Sequence, residues 1–130
     1  LNKIEGRYIW EEELFKIIGS PHPYNGMLFM RSAGLLEEIL PELEKTFGVE
    51  QKSPGRHHIY DVGNHSLMAL KYCKSLDPVV RFATLIHDIG KPQTYQKLPN
   101  GVITFYNHEV VSTKIAVNIA DSFGFFAELF

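Results

Sequence analysis

Apolar residues recur along this chain mostly at the three- and four-residue intervals of an amphipathic helix. In YIWEEELFKIIG they place Ile9, Leu14, Ile17 and Ile18 on one side, with Gly19 as a stop. SPHP, which includes His22, reads as a turn, and YNGMLFMRSAG as a second short helix ending at Gly34. GLLEEILPELEKTFG is apolar at Leu35, Leu36, Ile39, Leu40 and Leu43, and Pro41 is expected to split or restart it. VEQKSPGRHHIY is polar and carries Pro54-Gly55, which predicts a loop between residues 1–53 and 54–130. Beyond it, Asp61 is placed to cap a helix through VGNHSLMALKYCKS. Asp77-Pro78 pairs a cap with a proline at the first helical position, and opens a helix through VVRFATLIHDI that stops at Gly90. TYQKLPNGVITFY alternates around Asn100-Gly101, predicting a small hairpin near residues 93–106. Asn107 is placed to cap a last helix, HEVVSTKIAVNIADS. The expected fold is all-α with one minor hairpin, its two segments packed as one unit. Trp10 and the phenylalanines are expected in the core, and Cys73 as a small buried hydrophobe beside Leu70 and Leu76.

Composition narrows the setting. At 130 residues the chain is large enough for one domain with a real core. Its apolar runs stay below the ~18 residues a membrane span requires, so no membrane partner is expected. A single cysteine excludes an internal disulfide, which fits a reducing compartment, and a cytoplasmic location is the expectation. The net charge of −2 argues against strong autonomous nucleic-acid binding. The chain opens on Leu1 and closes on the apolar FGFFAELF, so a continuation beyond one or both ends is expected. The tail aromatics are expected to cover exposed core or to form a homodimer contact.

Three histidines stand where helices should be dry. His65 shares a stripe with Val62, Met68 and Tyr72; His108 shares one with Val111, Ile115 and Ile119; His87 follows Val79, Val80, Ala83 and Ile86. A lone buried imidazole is usually satisfied by a main-chain carbonyl. Here one of the three adjoins Asp88, whose burial without a partner would cost several kcal/mol. A divalent cation relieves that cost, since imidazole nitrogen and carboxylate oxygen suit borderline metals. Neighbouring helical residues point ~100° apart, so both reach one ion only where the helix ends, and Gly90 supplies an end. The competing reading is a structural Asp–His pair.

The order HHIYDVGNHSLMAL, VVRFATLIHDIGKP, FYNHEVV resembles the HD superfamily of metal-dependent phosphohydrolases. Its wording is similar to the HD domain of bacterial CCA-adding tRNA nucleotidyltransferases and poly(A) polymerases. The upstream stretch from EGRYIW to GVEQ resembles the RNA- and primer-binding segment of those enzymes, so the likeness runs from about Ile4 to about Ile119. It implies an HD-domain helical bundle in 54–130, truncated at its C-terminus, behind an RNA/primer-binding-like segment in 1–53. It implies a divalent metal (Mn, Ni, Mg, Fe or Zn) held by His65, His87, Asp88 and His108, with His58 behind them. Asp88 and Lys91 would be the catalytic residues, Lys91 meeting a phosphate as a point charge.

The sequence departs from the family in two ways that bear on activity. The Gly-Ser turn and paired aspartates of the nucleotide-adding head are absent from these residues. Many relatives also supply a further aspartate well past the HD pair; here the chain ends 42 residues after Asp88, and the later acids are Glu109, Asp121 and Glu128. Asp121 would approach only if the last helix bends. Two functions follow as expectations. One is a phosphohydrolase acting on phosphomonoesters, cyclic phosphates or nucleotide ends. The other is a non-catalytic body that holds tRNA or a second copy, with Lys45, Lys52, Arg56, Lys71 and Lys74 as phosphate contacts. A stand-alone HD protein is a third reading.

Overall fold

The computed structural model describes residues 6–52 and 60–124. A 3₁₀ turn, Arg7–Trp10, leads into α1 (Glu11–Ile18) and α2 (Pro23–Ser32). Then come α3 (Leu35–Ile39), α4 (Pro41–Glu44), α5 (Val62–Lys71), α6 (Pro78–Ile86) and α7 (Lys91–Thr94). The hairpin β1 (Gln96–Lys97) and β2 (Ile103–Thr104) precedes the long α8 (His108–Phe123). The fold is therefore mostly helical with one small antiparallel sheet, as the periodicity predicts.

Local chemistry explains the helix starts. The Asp61 carboxylate accepts from Asn64 N at 2.7 Å and from Gly48 N at 2.7 Å, so it caps α5 and ties that helix start to Gly48. Asp77 caps α6 through Val79 N at 2.9 Å, with Pro78 at the first helical position. Pro41 separates α3 from α4. In the hairpin, Gln96 pairs with Thr104 and Lys97 with Ile103, and Gly101 takes the left-handed φ of 86° that the reversal requires.

One apolar cluster spans both halves of the chain. Leu14 and Ile18 of α1, Met27 of α2 and Leu36 of α3 meet Leu67 of α5, Leu85 of α6 and Ile119 of α8. Two buried guanidiniums bind the halves further. Arg7 donates through both terminal nitrogens to Glu42 at 2.6 and 2.7 Å, and through Nε to Ser122 Oγ at 2.6 Å. Arg81 of α6 donates to the carbonyls of Ile18, Ser20 and Ser75 at 2.9, 2.8 and 2.9 Å, which closes the C-terminus of α1.

Several expected core positions lie outside it. Ile9 is 65% and Trp10 39% exposed. The chain enters α1 through a 3₁₀ turn, whose tighter winding puts these side chains out of phase with the apolar stripe. Phe29 is 71% exposed on the outer face of α2, although Phe82 and Phe123 are buried as expected. Cys73 lies past the end of α5 and is only half-buried, with Sγ 3.7 Å from Thr84 Oγ1; its expected neighbour Leu76 is 80% exposed. Helix α6 stops at Ile86, short of Gly90. Asn107 precedes α8 in a left-handed conformation (φ 64°), and its side chain makes no capping hydrogen bond. The expected contact through the tail aromatics, and Arg56, His57, His58 and Glu128, lie outside the described residues. Among the described residues no helix is long and apolar enough to cross a membrane.

Candidate metal centre

Three elements aim side chains at one carboxylate. His65 stands on the first turn of α5, fixed by the Asp61 cap. His87 caps the C-terminus of α6, and Asp88 follows in the turn beyond it. His108 opens α8. Because α6 ends at Ile86, the backbone turns and lets adjacent residues meet at one atom. His87 Nε2 lies 3.1 Å and His65 Nε2 3.8 Å from Asp88 Oδ2, while His108 Nε2 lies 3.6 Å from the opposite oxygen, Oδ1. The ligating atoms of His65, His87 and Asp88 all fall within 4.8 Å of one another. His108 faces the same carboxylate from its other side.

Glycine at position 90 has a different reason from the one its place after the helix suggests. Its φ of −85° is open to any residue. A side chain there would put Cβ 2.5 Å from Ser112 N and 2.8 Å from His108 O. Gly90 therefore allows the turn to nest against the first turns of α8, where its N–H donates to buried Ser112 Oγ at 2.8 Å. That close approach brings His108 to Asp88.

The hydrogen-bond directions decide what the cluster can hold. His87 Nδ1 lies 2.6 Å from the Thr84 carbonyl and His108 Nδ1 lies 3.0 Å from the Phe105 carbonyl. Each carbonyl accepts an N–H, so a neutral ring presents a bare lone pair at Nε2. A lone pair at 3.1 Å from a carboxylate oxygen is tolerable only with a proton or a cation between them. Fixing one ring nitrogen on a carbonyl while the other faces outward is how metal-binding histidines are oriented. First-row metals bind such atoms at ~2.0–2.2 Å, which sets ligand atoms roughly 3 Å apart or a little more. The observed 3.1 and 3.8 Å separations are on that scale. The donor set fits a borderline divalent ion.

Charge at the site is unbalanced in the same sense. Burial alone would raise the Asp88 carboxyl, but the hydrogen bond and charge of His87 and the ammonium of Lys91 outweigh it and hold Asp88 well below the usual carboxylate range. Its hydrogen bond to Asp88 raises His87 above the ordinary imidazole value of 6.5, against the effect of burial. Lys91 Nζ lies 3.1 Å from Asp88 Oδ2. Two clefts flank the carboxylate. A polar one of about 370 Å³ is lined by Gln51, Lys91, Thr104, Phe105 and His108 among others. The other, largely apolar, runs along Ala83, Ile86 and Ala116 to His87 and Asp88.

The remaining candidates are placed as follows. Asp121 lies thirteen residues beyond His108 on α8, ~20 Å along the axis, and is exposed. Glu109 is nearer, with Oε1 3.8 Å from His108 Nδ1, and is 76% exposed. Lys45, Lys52 and Lys74 are exposed, and the ammonium of Lys71 sits 5.0 Å from the centre of the Tyr24 ring. Two residues that pattern reading does not single out support the site. Ser112 holds Gly90 and stands four positions after His108 on the same helical face, a signal that was available. Gln51 is 5% exposed and accepts from Lys91 Nζ at 2.7 Å, and its loop carries no periodicity to mark it. Thr104 Oγ1 lines the polar cleft, buried without a hydrogen-bond partner.

Comparison with known proteins agrees with this geometry. Residues 10–47 match a family described as a probable RNA and SrmB-binding site of polymerase A, and residues 62–129 match the HD domain. The A-adding tRNA nucleotidyltransferase of Deinococcus radiodurans is 36% identical over 118 residues, covering 85% of this chain and 26% of the relative. The multifunctional CCA protein of Halorhodospira halophila is 41% identical over 88 residues, covering 66% and 21%. That of Legionella pneumophila is 38% identical over 111 residues, covering 82% and 25%. The chain thus spans about a quarter of the length of the curated relatives it matches. No solved structure matches significantly. The match to the HD domain over more than half of the chain, with an HD pair that ends a helix against two further histidines, places the chain in the HD-domain family, and its sequence is similar to part of the CCA-adding enzymes.

Proposed function

We propose that His65, His87 and Asp88 hold a divalent metal ion, that His108 joins them from the Oδ1 side, and that the site hydrolyses phosphate esters. One observation carries this reading. His87, with Nδ1–H committed to the Thr84 carbonyl, turns Nε2 to the carboxylate oxygen that His65 also faces. Phosphomonoesters, cyclic phosphates and nucleotide ends are the substrate classes, and the names of the relatives point to tRNA as the partner. Residues 10–47 would bear on that RNA, and a cytoplasmic location goes with this reading.

A bound divalent ion supplies Lewis acidity and a water whose pKa falls toward ~7. The chain does the rest. Asp88 offsets the ion's charge, and the two carbonyl-anchored imidazoles fix the direction of approach. Lys91, at the lip of the polar cleft, sets a positive charge where phosphoryl oxygens gather negative charge. Gln51 and Phe105 hold that ammonium, Gln51 at 2.7 Å and the Phe105 ring centre at 5.3 Å. Nickel, iron and zinc suit the imidazole donors best, while manganese and magnesium lean more on the carboxylate and on water. The test is elemental analysis of the purified chain together with release of phosphate from an aryl phosphate under added manganese, nickel or magnesium. Metal near one equivalent and activity that Asp88→Ala abolishes are expected. Equal activity in Asp88→Ala and parent would overturn the reading.

A second reading, the non-catalytic RNA-holding body, is favoured by the match over residues 10–47. It predicts tight tRNA binding with no metal and no dependence on His65 or His87.

A further inference from the structure

Asp88 Oδ2 is contested. His87 and His65 face it at 3.1 and 3.8 Å, and Lys91 Nζ lies 3.1 Å from the same atom. A metal ion drawn to this oxygen would meet an ammonium already beside it. That ammonium has a second place to rest. It donates to Gln51 Oε1 at 2.7 Å and lies 5.3 Å from the centre of the Phe105 ring. Gln51 is 5% exposed, and its amide is oriented by a 3.3 Å bond from Nε2 to the Tyr60 carbonyl. The side chain of Lys91 is itself only 14% exposed, so it cannot simply swing into solvent. It touches both partners at once, the carboxylate at 3.1 Å and, at 2.7 Å, Gln51 in the wall of the polar cleft.

We propose that Lys91 is an internal counter-ion that competes with the metal for Asp88, and that Gln51 is the seat to which it withdraws when the metal binds. The inference rests on the metal-binding reading above and adds a determinant of affinity to it. In the metal-free protein the ammonium stabilises the buried carboxylate. With metal bound, it stays on Gln51 and the Phe105 face, directed at the cleft. Gln51 is thus a positioning residue, acting on the metal through Lys91. A simple structural ion pair makes the opposite prediction, since removing the lysine would then loosen the site and weaken binding.

The experiment is manganese affinity of the full chain, by calorimetry or by competition with a chelating dye, at fixed pH and salt. Removing the competing charge in Lys91→Met or Lys91→Gln should tighten manganese binding ~10-fold, as expected for deleting a like charge a few ångströms away. Lys91→Arg keeps the charge and should stay within about twofold of the parent by the same reasoning. Gln51→Leu removes the withdrawal seat and should weaken binding several-fold. In the double variant Lys91→Met with Gln51→Leu, the effect of Gln51→Leu should vanish, because nothing remains for it to hold. His65→Ala should abolish binding and so locate the ion. Thermal melts with and without manganese check that each variant folds, and Lys91→Gln serves if Lys91→Met does not. Saturable binding that is unchanged or weaker in both neutral variants overturns this inference and leaves the metal centre standing. A Gln51→Leu effect that persists in the double variant overturns the seat. No saturable binding in parent or variants overturns the inference and the metal centre together.

Discussion

Arg7 and Asp88 are both charged side chains taken out of water, 1% and 6% exposed, and they sit near opposite ends of α8. Every guanidinium nitrogen of Arg7 has a partner, with bidentate bonds to Glu42 and a third to Ser122. Asp88 is surrounded just as closely, with Lys91 Nζ at 3.1 Å, yet its other close neighbours are imidazole nitrogens that carry lone pairs when neutral. The first charge is satisfied by the chain itself. The second has one fixed cation, Lys91, and its imidazole neighbours are accommodated only when a proton or a metal lies between them and the carboxylate. Burial and proximity are alike in the two regions, and the direction of the hydrogen bonds distinguishes a fastening from a site.

The contrast can be tested by removing each charge. Arg7→Leu leaves Glu42 without its guanidinium partner and should lower unfolding free energy by about 3–5 kcal/mol, the cost of breaking a buried pair. Denaturant titration reads this, and a loss below about 1 kcal/mol would erase the distinction. Gly90→Ala should cost about 1–3 kcal/mol, because its Cβ meets the α8 backbone. It should also weaken metal binding by moving His108, so stability and affinity fall together. Asp88→Asn should do the reverse of Arg7→Leu, changing metal-free stability by about 1 kcal/mol or less while abolishing saturable metal binding.

The smallest effect is in pH. His87 is raised in the folded state, so its contribution to metal-free stability is complete below about 6.5 and fades as pH rises through the higher folded value. Asp88 is depressed, so its contribution is present above about 3.8 and fades as pH falls toward the folded value. The pair therefore stabilises most between those limits, by under about 1 kcal/mol, because His87 is 42% exposed. His87→Ala should flatten the profile. Metal affinity should run the other way and grow with pH over the upper limb, since the ligand must be the neutral ring.

Much of the frame was legible because its signals are local. Asp61, Asp77-Pro78 and Pro41 act on residues within one turn, so pattern alone locates those helix starts and the split. The spacing and wording around His65, His87 and Asp88 marked the residues that the fold gathers. What pattern could not supply is long-range. Arg7 reaches Ser122 across 115 positions and Lys91 reaches Gln51 across 40, and nothing local marks either pair. The exposure of Trp10 and Phe29 depends on which face meets the other helices, and composition does not carry that. The need for glycine at 90 was visible only as a helix stop, because the opposing backbone of Ser112 comes from another helix.

Helix α8 joins the two regions compared above. It carries His108 in its first turn and Ser122 in its last, ~20 Å apart along one rod. A rod of that length is a lever, and a tilt of about three degrees at one end displaces the other by about an ångström. Loosening the Arg7 clamp would therefore shift the imidazole opposite Asp88, so that damage far from the carboxylate is felt first as a change in what it can hold.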